Sequence, residues 1–205
     1  MKYFVWIFFV VLISCDKNKE AIIDNKTVVG IQAYSGFPSN KTKIIAKTID
    51  SFYNVKVIIL PEKKMYKEAF VAIKSARYTA DSIILFQKRH ISDSLNYIIG
   101  LTDKDISTTK KINGKITDPK YKDWGIMGLG FCPGKSCVVS SFRLQHKNQL
   151  LHLQRLRKVA VHEFGHNLGL PHCPDKKCVM TDAVESIKTI DNASLALCSK
   201  CKKKL

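Results

Sequence analysis

The chain has 205 residues, 45% of them hydrophobic and 25% charged, with a formal net charge of +17. That length and balance suit one domain with a real core and exclude a repeat array or a disordered tail. The positive charge would attract polyanions, but the lysines are spread along the chain and cluster only at Lys200 and Lys202–Lys204, with no aromatic-interleaved basic motif. A lysine-rich solvated surface, or contact with an anionic membrane, fits that pattern better than nucleic acid.

Met1-Lys2-Tyr3 is a short basic start, followed by an uncharged apolar run from Phe4 to Ile13. The run is too short to span a bilayer and suits the apolar core of a signal peptide. It ends in Leu12-Ile13-Ser14-Cys15, which resembles the lipobox of bacterial lipoproteins, so residues 1–14 are expected to be removed and Cys15 to carry lipid. An ordinary signal peptide or a buried N-terminal strand are the alternatives. Residues 15–27, polar and charged, read as a flexible tether, which leaves 28–205 as the domain. The expected location is the periplasmic or surface side of a bacterial membrane.

Val28 to Tyr34 reads as a first strand. Ser39 is a candidate cap for the next helix, where Ile44, Ile45, Thr48, Ile49 and Phe52 share a face. Val55 to Leu60 is a β-branched run stopped by Pro61, the pattern of a buried parallel strand. A second helix is expected over Ala80 to Lys88 with Ile83, Ile84 and Phe86 inward, then a strand over Tyr97 to Leu101 and a turn at Thr102 to Asp105. Asp103 and Asp105 could bind a substrate amine, although aspartates after a strand are usually turn residues. The glycine-punctuated segment Trp124 to Phe131 reads as an irregular edge strand, followed by a strand at Val138 to Ser140. A long amphipathic helix spans about Asn148 to Gly169. This alternation predicts a mixed α/β domain.

On that last helix stands His162-Glu163-Phe164-Gly165-His166-Asn167-Leu168-Gly169-Leu170-Pro171-His172. Histidines at i and i+4 share a helix face and can reach one ion. Glu163 falls beside the ion, where a carboxylate can take a proton from a metal-activated water. Gly169 permits the sharp turn, and Pro171 stiffens the return, that bring His172 round as third ligand. Three imidazoles and one open position are how catalytic zinc is held. His90, His146 and His152 stand alone and read as ordinary surface or core histidines.

Cys173, Cys178, Cys198 and Cys201, with Met180 between the pairs, form C-x₄-C-x-M-x₁₇-C-x₂-C. Two close cysteine pairs suggest a structural Cys₄ zinc. Cys132 and Cys137 remain, spanning a Pro-Gly turn; a short disulfide and two free thiols are both open.

From His162 to Cys201 the string resembles the signature of the archaemetzincins, zinc metallopeptidases of the metzincin clan. Upstream the likeness is weaker, at Gly128, Ser140 and Arg143-Leu144. The resemblance implies a compact metzincin-like α/β domain: a mostly parallel twisted sheet, an edge strand over the cleft, a long active-site helix and a C-terminal Cys₄ subsite. It implies two zinc ions, one catalytic and one structural, and hydrolysis of peptide bonds with Glu163 as general base. It makes Met180 the methionine beneath the metal and the Trp124–Phe131 segment the strand that pairs with an extended peptide. Some metzincins place a tyrosine two residues after that methionine; here the position is Asp182. Peptides or proteins are the expected partners of a monomeric enzyme. A zinc-stabilised binding module without catalysis is the competing reading.

Overall fold

The computed structural model describes residues 23, 24, 26–112, 114–182 and 186–205, so the expected signal peptide and Cys15 lie outside the described residues. The last residues of the expected tether form a turn: Thr27 N–H donates to the Asp24 carbonyl at 3.0 Å, and Ile23 packs on the core.

In chain order the elements are β1 (Val28–Ala33), α1 (Ser39–Tyr53), β2 (Lys56–Ile59), β3 (Phe70–Val71), β4 (Arg77–Thr79), α2 (Ala80–Arg89), β5 (Tyr97–Thr102), β6 (Ile106–Thr108), β7 (Trp124–Ile126), β8 (Gly128–Gly130), β9 (Ser136–Ser140), α3 (Gln149–Asn167), α4 (Ile187–Asn192) and α5 (Ser199–Lys202). The main sheet has the order β2-β1-β5-β9-β8. Its first four strands run parallel and β8 pairs antiparallel with β9, Leu129 opposite Val138. A smaller sheet, β3-β4-β6-β7, lies beside it.

Because side chains alternate along a strand, each central strand feeds two cores. Cys137 and Val139 of β9 join Val29, Ile31, Ile99 and Leu101 against α1 and α3. Val138 points the other way, into a second core with Ile83, Ile84 and Ile106 around α2. The mixed α/β, mostly parallel architecture read from the sequence is the one found.

Four local expectations need correction. β2 is parallel but is the sheet's outer strand and is not buried: Ile58 and Ile59, which point to opposite faces, are 37% and 45% exposed. Ser39 is the first residue of α1 and not its cap. The cap position is Pro38, with no side-chain hydrogen bond, and Pro38's carbonyl accepts from the Thr42 hydroxyl at 3.2 Å. On α2, Gln87 takes the inward place expected for Phe86, because it hydrogen-bonds Ser136 Oγ at 2.8 Å across the core. The turn before β6 is more than a turn: Asp105 is buried between Arg143, at 2.7 and 2.9 Å, and Arg77, at 3.1 Å.

Candidate active site

α3 begins where Asn148 Oδ1 accepts from the backbone N–H groups of Leu150 and Leu151 at 2.9 and 3.2 Å. Nineteen residues later it stops at Asn167, and Gly169 takes a φ of +87°, the left-handed conformation that lets the chain turn back. The turn is closed by Gly169 N–H on the His166 carbonyl (2.8 Å) and Leu170 N–H on that of Gly165 (3.0 Å). His172 is thereby carried back over the helix, and the ligand atoms of His162, His166 and His172 all lie within 4.8 Å of one another.

The second nitrogen is held in two of the three rings. His162 Nδ1 is 2.8 Å from the Val179 carbonyl and His166 Nδ1 is 2.7 Å from that of Leu170. A carbonyl only accepts, so both rings carry their proton on Nδ1 and present the lone pair of Nε2. Those two Nε2 atoms stand 3.0 Å apart. Two facing lone pairs repel, so the arrangement fits a cation shared between them; a tetrahedral zinc with bonds of about 2.0–2.1 Å sets its ligand nitrogens about 3.3 Å apart. Burial, then the imidazole of His166, brings His162 down to about 3, and burial also lowers His166. Both rings are therefore neutral, the form a metal requires. His172 is more exposed, and its Nδ1 lies 3.6 Å from Asp182 Oδ2, close enough for an ion pair but beyond hydrogen-bond distance.

Glu163 is buried on the same helix, facing β8. A Cβ added at Gly128 would stand 2.7 Å from its Oε1, and one at Gly130 would stand 2.3 Å from its backbone oxygen. Only glycines let the strand lie this close to the helix. Burial pushes the Glu163 carboxyl up to about 8, while the Gly130 N–H donated to it acts in the opposite sense. Beneath the helix, Met180 is fully buried with its sulfur against Gly165, where a Cβ would stand 2.6 Å away.

Cys173, Cys178, Cys198 and Cys201 also converge within 4.8 Å. Cys173 and Cys198 sulfurs are 3.7 Å apart. That is far beyond a disulfide and matches the edge of about 3.8 Å expected for a tetrahedron of Zn–S bonds near 2.3 Å. The backbone N–H of Cys201 brings Cys198 down to about 7, so one thiol of the four is poised to ionise. This cluster grips the segment that builds the other site: Cys173 N–H donates to the Met180 carbonyl at 2.8 Å, and Val179, whose carbonyl holds His162, donates to that of Ala196 at 2.8 Å.

A cavity of about 460 Å³ opens over the histidines, lined by β8 on one side and by Val159, Val179, Ile190 and Ala193 on the other. The sequence model of Peptidase family M54 matches residues 2–205. The chain belongs to peptidase family M54, the archaemetzincins. By that membership it is a zinc metallopeptidase. It is similar to the archaemetzincin of Methanopyrus kandleri, 41% identical over 76 residues, a match covering 37% of this chain and 43% of that one. The archaemetzincin of Halobacterium salinarum is 24% identical over 85% of this chain and 97% of the relative. Among solved structures, that of Archaeoglobus fulgidus archaemetzincin, complexed with malonate, superposes with a TM-score of 0.72 at 27% identity, over 87% of this chain and all of that one. The M. kandleri structure gives 0.70 at 26% identity, over 86% and 92%.

The M54 chain places other sequence candidates elsewhere. Asp105 is committed to two arginines and Asp103 pairs with Lys104 at 3.2 Å; neither lines the cleft. Cys132 and Cys137 are free thiols, so the disulfide considered for them is not formed. Cys137 points into the core under α3, whereas Cys132 is exposed on the cleft wall, its thiol 3.5 Å from the Leu170 carbonyl. The expected edge segment divides between two sheets: Trp124–Ile126 joins the small sheet and Gly128–Gly130 the main one, and residues of both strands line the cleft. The sequence reading missed Asp182 as partner of His172, and the contact of Gly128 and Gly130 with Glu163. Glycines two apart on an edge strand were the one signal of the latter.

Proposed function

We propose that His162, His166 and His172 hold a catalytic zinc, that Cys173, Cys178, Cys198 and Cys201 hold a structural one, and that Glu163 is the general base of peptide hydrolysis. The observation that carries this reading is the pair of facing Nε2 lone pairs beside a buried carboxylate, all opening on one cleft. Zinc there would supply a Lewis acid that polarises the scissile carbonyl and acidifies a water. The residues do the rest. β8, whose outer edge is unpaired among the described strands, aligns an extended peptide by backbone hydrogen bonds. Beside the positive charge of zinc, which would offset the burial that raises it, the Glu163 carboxyl stays ionised, and as a carboxylate it accepts a proton from the attacking water and hands it to the leaving amine. The Val179 and Leu170 carbonyls hold His162 and His166 in their ligating tautomer and orientation, and the Asp182 carboxylate stands near His172. Met180 fills the floor and keeps water from below.

Elemental analysis of the domain starting after Cys15 tests the site assignments. Two zinc ions per chain are expected, falling to one in His166→Ala and to one in Cys198→Ala. A single zinc that survives His166→Ala would move the non-catalytic binding module to the front. Glu163→Gln should keep both ions and lose turnover by at least about a thousandfold, the scale of a missing base; full activity in that variant would remove Glu163 from the mechanism.

The same proposal covers the leader: export and lipidation at Cys15, and action as a monomer on a bacterial membrane. Metabolic labelling with a fatty acid should mark the wild type and not Cys15→Ser, and unlabelled wild type would reject the anchor. Light scattering of the soluble domain should give the monomer mass.

A further inference from the structure

Beyond His162 the cleft wall carries a charge that the hydrolytic mechanism leaves unused. Lys158 lies four residues before His162, one turn of α3 or about 6 Å along its axis, and lines the same cavity beside Val159, Val179, Ile190 and Ala193. Its Nζ donates to the carbonyls of Ile190 and Asp191 at 2.9 and 3.2 Å, in the last turn of α4. An ammonium has three N–H groups, and these bonds use two.

The one carboxylate that favours its charge, Asp191, is shared with other cations. Asp191 gives both carboxylate oxygens to Arg155, at 2.7 Å each. Lys177 caps the same helix end through the Asn192 carbonyl at 3.1 Å, and His146 is a further neighbour of Asp191. Among the described residues this corner holds Arg155, Lys158 and Lys177 against Asp191 alone. A half-buried ammonium on an apolar wall is satisfied best by an anion.

We propose that Lys158 is a specificity-determining residue that selects an acidic side chain immediately flanking the scissile bond. A glutamate seated with its backbone near the metal site would reach along one helical turn to the third N–H. The inference rests on the peptidase reading of this cleft. Its structural rival is a lysine that only caps α4, which would matter to stability and not to peptide choice.

The test uses the zinc-loaded Glu163→Gln variant, a short random-peptide library and mass spectrometry of what is retained, at salt high enough to screen the chain's general positive charge. Retained peptides should be enriched about tenfold in Glu and Asp over Gln and Asn at one position, the size of one charge-assisted hydrogen bond. The enrichment should vanish when Lys158→Met is added and return with Lys158→Arg. Retention without acidic enrichment, or enrichment that survives Lys158→Met, overturns the inference. Digestion of the retained peptides by wild type is read separately. A cut next to the enriched position supports the proposal, and a cut elsewhere overturns the flanking assignment. No cut at all removes the peptidase reading and the claim about the scissile bond, leaving only an acid-binding pocket.

Discussion

Gly130 illustrates how much of this site depends on atoms that are missing. A methyl there would sit 2.3 Å from the Glu163 backbone oxygen, and that oxygen belongs to a packed helix and cannot move aside. Gly130→Ala should therefore push β8 off α3 and lower kcat/KM by at least about tenfold, since small misplacements near reacting atoms cost that much or more. Zinc content should stay at the wild-type value, because no metal ligand lies on β8. Peptidase kinetics beside elemental analysis checks both halves. His162, Glu163, His166 and His172 were legible because helical periodicity and a glycine turn are local rules. Gly130's partner was not, because the contact joins positions 33 residues apart and a glycine's spacing does not say what it faces. The Cys132 and Cys137 pair was ambiguous for a related reason: nearness along the chain says nothing about Cβ direction, and one side chain enters the core while the other meets solvent.

Among the elements, the small sheet is tied to the main one by charge. Asp105 stands between Arg143 and Arg77, Arg77 also pairs with Asp123 at 3.4 Å, and the Arg143 side chain lies on Gly125 in β7. Replacing Asp105 by Ala would leave two arginines facing each other in a partly buried setting, and a loss of about 3 kcal/mol is expected from breaking such a group on one side. A thermal melt or urea titration reads it; an unchanged midpoint would show that the network carries no stability. The α4 end depends on Arg155 and Asp191 in a pH-sensitive way. The hydrogen bonds from Arg155 hold the Asp191 carboxyl below its ordinary value. For a depressed carboxylate the stabilisation is complete above the unfolded value near 3.9 and is lost as pH falls through the lower folded value. Asp191→Asn should therefore flatten the acid limb of the stability curve while leaving its slope near neutrality unchanged. Element types were readable from periodicity and turn residues, but positions within the sheet were not. A run such as Val55 to Leu60 looks the same whether its strand is central or outermost, and only the strand order makes β2 the rim. Asp105 likewise looked like a turn residue because its partners, at 77 and 143, are distant in the chain.

At the scale of the whole molecule, the described residues contain no helix long and apolar enough to cross a membrane. The molecule is organised around α3, which supplies the floor of both the first core and the cleft, and around the C-terminal segment that closes beneath it. His172 and Cys173 are consecutive residues assigned to different ions, so the two clusters are joined by a single peptide bond. If the proposed ions bind as assigned, that junction couples the two sites. Four sulfurs closing on a metal would hold Cys173 and with it the backbone of His172, so that the histidine site would have only its rings to turn. If the thiols oxidise first, Cys173 is drawn toward another sulfur and its neighbour goes with it. Stepwise cobalt addition to metal-free protein should accordingly show thiolate-to-metal absorption saturating before the histidine bands rise, and prior oxidation of the thiols should leave the imidazole trio, although chemically untouched, unable to bind.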